Sequence, residues 1–158
     1  MTFAQGNPKL SDAEVAMVAV VANQIDVSYA EIAQKKSRNA DVKKFAETML
    51  NDHNSVLGLA GELAKKLGVT PKENAVSKSL LEGADKTKKE LNSMRGKKFD
   101  KFYIDNEVAY HEAVINAVEG LLIPETENQE LKDLLISAVP IFKTHLAHAK
   151  SVQEKVSK

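Results

Sequence analysis

The chain has 158 residues and no cysteine. Disulfides, thiolate metal sites and cysteine nucleophiles are therefore excluded, and any metal must be held by nitrogen and oxygen ligands. Neither charge is in excess: 22 lysines and arginines stand against 22 aspartates and glutamates. A dedicated nucleic-acid surface needs a basic excess or stripe, so no nucleic-acid partner is expected. No apolar run approaches the length of a bilayer span, so no transmembrane segment is expected either. Alternating β-branched runs and two-residue hairpin turns are missing, which removes the signals for strands. Internal repeats, linkers and low-complexity segments are also missing. The phosphate loop, the dinucleotide fingerprint, Gly-x-Ser-x-Gly and His-Glu-x-x-His are all absent. Nothing identifies a substrate, and the sequence assigns no enzyme class. Met1 to Leu10 lacks the charged and apolar regions of a secretory signal.

Hydrophobic residues make up 43% and charged residues 28%, a soluble globular composition large enough for one self-sufficient core. We expect a single helical domain over residues 11–156 after a flexible segment 1–10. Ser11-Asp12-Ala13-Glu14 is a capping box opening the first helix, which runs to about Ser37. Its apolar stripe includes Val15, Val18, Ala22, Ile25, Tyr29 and Ala33. Asn39 can cap the second helix, and Gly68 with Pro71 can end it. That stripe is Val42, Phe45, Met49, His53, Val56, Ala60, Leu63 and Leu67, in the steps of three and four that mark a bundle seam.

Residues 74–94 read as a shorter, more polar helix anchored by Leu80, Leu81, Ala84 and Leu91. Gly96 separates it from a helix over about Lys97 to Leu122, where Ile104, His111, Val114, Val118 and Leu121 share a face. Pro124 is expected to stop that helix. Asn128 or a neighbour opens the last one, with Leu131, Leu134, Leu135, Ala138, Phe142, His145, Ala149 and Val152 inward. Pro140 falls inside it and predicts a kink. The result is an all-α, up-down bundle of four long helices, with the 74–94 segment as a short extra helix in the crossover.

Three of the four histidines interrupt these apolar stripes, each on a different helix. His53 lies between Met49 and Val56, His111 seven residues from both Ile104 and Val118, and His145 seven from both Ala138 and Val152. Mid-helix positions of an up-down bundle meet at similar depth, and bundle cores are where helical proteins build metal sites. Asp26, mid-way along the first helix, would be costly to bury without a cation or hydrogen bonds. The candidate metal ligands are thus His53, His111, His145 and Asp26, with water as the alternative fourth ligand.

A nitrogen and oxygen set of this kind suits zinc, copper(II), iron or nickel, and a tetrahedral site of three histidines and one carboxylate puts zinc first. Positions three residues before the histidines hold Leu50, Val108, Phe142 and His145 rather than glutamate, against a ferritin-type dinuclear oxidase centre. His148 falls at the stripe's edge, as a surface or supporting residue. Glu107, one turn before His111, either joins the site, orients the His111 ring or is solvated. Asp52 reads as a surface charge and Met49 as core packing. The metal-free alternative is a buried hydrogen-bond network of the histidines with Tyr29, Tyr103 or Tyr110.

Three segments carry a family resemblance. Met49-Leu50-Asn51-Asp52-His53 follows Val42-Lys43-Lys44-Phe45-Ala46. Phe99-Asp100-Lys101-Phe102-Tyr103 leads to His111, and Pro140-Ile141-Phe142-Lys143-Thr144-His145-Leu146 closes the pattern. From about Ser11 to Val152 the chain resembles a bacterial family of unknown function with a ferritin-like four-helix fold, whose members are exported or assigned to the outer membrane. The resemblance implies recurring histidines at His53, His111 and His145, and a carboxylate at Asp26 where relatives often carry the longer glutamate. It also implies a periplasmic or exported location. Together these readings describe a metal-binding helical bundle of the bacterial cell envelope, or else a metal-free structural or interaction protein of that compartment.

Overall fold

A computed structural model describes residues 9–158. Five main helices carry the described chain: α1 (Asp12–Lys36), α2 (Ala40–Leu67), α3 (Ala75–Ser93), α4 (Gly96–Ala117) and α5 (Gln129–Val156), with two short helical turns between α4 and α5. There is no strand among the described residues. The starts follow local chemistry. Ser11 Oγ accepts from the Glu14 amide and the Glu14 carboxylate accepts from the Ser11 amide, a complete capping box. Asn39, Asn74 and Asn128 each accept a first-turn amide with their side-chain oxygen. Gly68 ends α2 at φ +65°, a left-handed conformation that costs a residue without Cβ little.

Polar contacts fix the topology. Lys66 pairs with Glu130 at one end of α2 and Asp41 with Lys155 at the other, so α2 and α5 are antiparallel. The Lys72 amide donates to the Ala13 carbonyl, while Lys36 Nζ donates to the carbonyls of Leu91 and Asn92. The crossover helix α3 therefore runs beside α1 and parallel to it, returning the chain along the bundle's side. Ser37 donates to Asp100 at one end of α4, and Tyr110 Oη donates to the Ala22 carbonyl further along, so α4 runs antiparallel to α1. The closest helix pairs are α1 with α2 and α4 with α5. The expected bundle of four long helices with an extra crossover helix is what forms.

Several details differ from the sequence reading. Leu81 is exposed, and Val76 with Ser77 takes its place in the α3 contact. Pro124 does not end α4 at Leu122. A π-helical turn over Val118–Leu122 leads into a last α-helical turn, Ile123–Glu125, that contains it. There the Ile123 amide donates to the Val118 carbonyl, and this wider turn shifts the carbonyls off the register a proline ring would strike. Helix α5 passes through Pro140, which lies on its exposed side. Residues 1–8 of the expected flexible segment lie outside the described residues. Leu10, by contrast, is buried and its amide donates to Glu125. Finally, α1 is long and apolar enough by length and composition to cross a membrane, which the sequence reading had not recognised. Half of that stretch is buried inside the bundle, and Asn23 and Asp26 are buried on it.

Candidate metal centre

Each of the four main helices sends one candidate residue into the middle of the bundle: Asp26 from α1, His53 from α2, His111 from α4 and His145 from α5. All are buried, with Asp26 at 0% and His111 at 1% exposure. The ring centroids are 5.8 Å apart for His53 and His111, 5.1 Å for His53 and His145, and 5.4 Å for His111 and His145. One nitrogen from each ring lies within 4.8 Å of the other two. Two nitrogens bound to one ion at about 2.0–2.1 Å are roughly 3.3–4.2 Å apart, so small side-chain rotations would let one ion draw in all three.

The partners of the rings fix their tautomers. Asn23 Nδ2 donates to the Ala19 carbonyl at 2.8 Å, which orients the amide and leaves Oδ1 facing His53 Nδ1 at 2.7 Å. A neutral His53 must therefore donate from Nδ1 and carry its lone pair on Nε2. His111 Nδ1 donates to the carbonyl of Glu107, one turn back, at 2.9 Å, so its lone pair is also on Nε2. His145 Nε2 donates to Asp52 Oδ2 at 2.7 Å, leaving the lone pair on Nδ1. The three lone-pair nitrogens, His53 Nε2, His111 Nε2 and His145 Nδ1, are buried and have no hydrogen-bond partner. One nitrogen anchored and the other free is the arrangement that orients histidine ligands at metal sites.

Asp26 Oδ2 lies 3.3 Å from His53 Nε2 and 3.4 Å from His111 Nε2. Three acceptor atoms thus face one another in a dry interior, which is unfavourable unless a positive charge lies among them. Burial opposes ionisation of Asp26, but positive charge on His53 and the other two rings outweighs it and holds the carboxyl below its usual range. Burial in turn pulls the His111 and His145 imidazoles below theirs. One positive charge shared by the cluster, a proton or a metal ion, meets both tendencies. Phe142 stacks on the His53 ring at 5.5 Å and also lines an apolar cavity of about 80 Å³ between α1, α2 and α5.

All four sequence candidates meet here. His148 does not join them: its ring sits edge-on to Phe45 at 5.1 Å. Met49 is wholly buried packing. Asp52 is not the free surface charge expected. It is half exposed, yet it projects around α2 from His53 far enough to reach α5. Asn23 was missed; its signal was a polar amide one turn before Asp26, directly after the apolar run from Val15 to Ala22. Glu107 is fully buried rather than solvated. Burial and the adjacent Asp26 charge push its carboxyl well above its usual range. The alternative, a histidine–tyrosine network, makes no hydrogen bond among the described residues. Tyr110 donates to a backbone carbonyl, Tyr103 Oη has no partner, and the anchoring bonds of the histidines go to Asn23, Glu107 and Asp52.

Fold and site together define an all-α bundle with a buried histidine–carboxylate cluster. The chain belongs to the DUF4142 family, a domain of unknown function whose family model matches residues 2–152. Its fold is similar to that of CopM, solved in the Cu(II)-bound form, with a TM-score of 0.69 and 13% sequence identity over 94% of this chain and 99% of CopM. No curated protein matches the chain.

Proposed function

We propose that this protein binds a transition metal ion inside its bundle through His53 Nε2, His111 Nε2, His145 Nδ1 and Asp26 Oδ2, and that it does so in the bacterial cell envelope. The observation that carries the reading is the set of three buried lone-pair nitrogens without partners, each paired through its ring to an anchored donor nitrogen. A core histidine kept only for packing would have no reason to leave its second nitrogen unsatisfied. Three nitrogens and one oxygen suit copper(II) and zinc alike. The sequence puts zinc first; we rank copper ahead of it, supported by the Cu(II)-bound form of the fold neighbour. The envelope location rests on the family resemblance alone.

The test is a metal titration of the purified chain with Cu(II) and Zn(II), followed by elemental analysis. The expected result is tight binding that disappears when His53, His111 and His145 are all changed to alanine. Unchanged stoichiometry in that triple variant would overturn the assignment.

A further inference from the structure

One ion in the histidine cluster leaves part of the interior unexplained. It would take Asp26 Oδ2, the oxygen beside His53 and His111. Asp26 Oδ1 and both oxygens of Glu107 would remain buried and unpartnered. No lysine or arginine pairs with either carboxylate among the described residues. The proton on His111 Nδ1 does not solve the problem. That nitrogen is 3.4 Å from Glu107 Oε2 but donates to the Glu107 backbone carbonyl at 2.9 Å. Tyr103 Oη, also buried and without a partner, lies in the field of both carboxylates, which together with burial push its hydroxyl well above its usual range. Asp26, Glu107 and His111 each offer a ligand atom within 4.8 Å of the other two, all three fully or almost fully buried.

Resting on the histidine-site reading above, we propose a second cation position beside the first, held between Asp26 and Glu107, with Asp26 bridging the two ions. An oxygen-rich position accepts a divalent transition metal, and carboxylate-bridged ions of this kind sit about 3.5–4 Å apart. The Glu-x-x-His spacing of ferritin-type centres does not describe this geometry: Glu107 precedes His111 by four residues, so the two share one helical face.

The experiment is equilibrium dialysis of the full chain against Cu(II) alone and Zn(II) alone, with elemental analysis and Cu(II) electron paramagnetic resonance. A variant lacking all five buried ligands (His53, His111 and His145 to alanine, with Asp26→Asn and Glu107→Gln) measures adventitious surface ions, which are subtracted. We expect two ions per chain in the wild type and one in Glu107→Gln. The wild-type copper spectrum should be broadened or silenced by coupling between neighbouring ions, and the variant should give an isolated mononuclear spectrum. Two ions in both proteins would place the second ion elsewhere and overturn the proposal. One ion in both would overturn it while leaving the histidine site intact. No ion in the wild type would overturn both readings. If Glu107→Gln does not fold, the wild-type result decides alone: two coupled ions sustain the second position, and one uncoupled ion removes it.

Discussion

Asp52 Oδ2 accepts a 2.7 Å hydrogen bond from His145 Nε2, joining the half-exposed flank of α2 to a fully buried ring on α5. The bond selects the tautomer whose free lone pair is on Nδ1, so a surface-facing carboxylate governs an interior nitrogen. Such outer partners raise ligand basicity, and losing one costs about 10–100-fold in metal affinity. Asp52→Ala is expected to weaken binding by about that factor, with little loss of fold because the carboxylate is half in solvent. Competition titration against a chromophoric chelator checks it. An affinity within twofold of wild type would show that Asp52 does not position His145.

Metal removal should be visible as lost stability. An ion that binds only the native state adds about 2.7 kcal/mol when present at 100 times its dissociation constant. In a chain of 158 residues each kcal/mol moves the melting temperature by roughly 2–4 °C. Chelator at neutral pH is therefore expected to lower the melting temperature of the metal-loaded protein by about 5–10 °C. The His53, His111, His145 triple variant should show no such drop. Equal melting curves with and without chelator in the loaded wild type would contradict a native-state ion.

In the metal-free protein the buried groups pull stability in opposite directions with pH. Burial lowers the pKa of His111 and His145. Below about pH 6.5 the unfolded chain takes up protons that the folded rings refuse, so stability falls as pH drops. Glu107 is raised, so its folded form keeps a proton that the unfolded chain releases above about pH 4.5, and its contribution fades as pH rises. The two slopes oppose each other between about pH 5 and 6.5. Glu107→Gln removes the opposing term. Its acid loss of stability across that interval should be steeper than in wild type, as measured by denaturant unfolding at a series of pH values. A shallower slope would refute the assignment of Glu107 as the raised group.

Much of this architecture was legible from local chemistry. The Ser11 capping box, the asparagine caps and the three-and-four spacing along α2 all act within one or two turns, so the sequence states them directly. The same spacing placed Asp26, His53, His111 and His145 on inward faces at matching depth. Asp52 and Asn23 were not legible as site residues because their roles depend on which neighbouring helix they reach. Adjacent residues on a helix project about 100° apart, and only the packed bundle shows that Asp52 meets α5 while His53 enters the core. The π turn before Pro124 was hidden for a similar reason: it resolves a conflict between a proline and a helix that tertiary contacts hold in place. Leu81 failed as an anchor because α3 packs chiefly on α1 and buries a narrower stripe than a helix in the centre of the bundle.

The metal reading and the hydrogen-bond-network reading separate at Tyr110. Its hydroxyl donates to the Ala22 carbonyl at 2.7 Å, and its ring stands edge-on to His111 with centroids 6.3 Å apart. No proton passes between the hydroxyl and the imidazole. Tyr110→Phe keeps the ring and removes only that one bond, at a cost of about 0.5–1.5 kcal/mol, rising towards 3 if the carbonyl finds no new donor. Metal stoichiometry should be unchanged and affinity should stay within about threefold, since neither the ligands nor their anchors at Asn23, Glu107 and Asp52 are touched. Isothermal titration of the variant supplies the affinity and thermal melting the stability. A large loss of metal binding in Tyr110→Phe, with its fold intact, would mean that the tyrosine orients His111 after all and would restore the network reading.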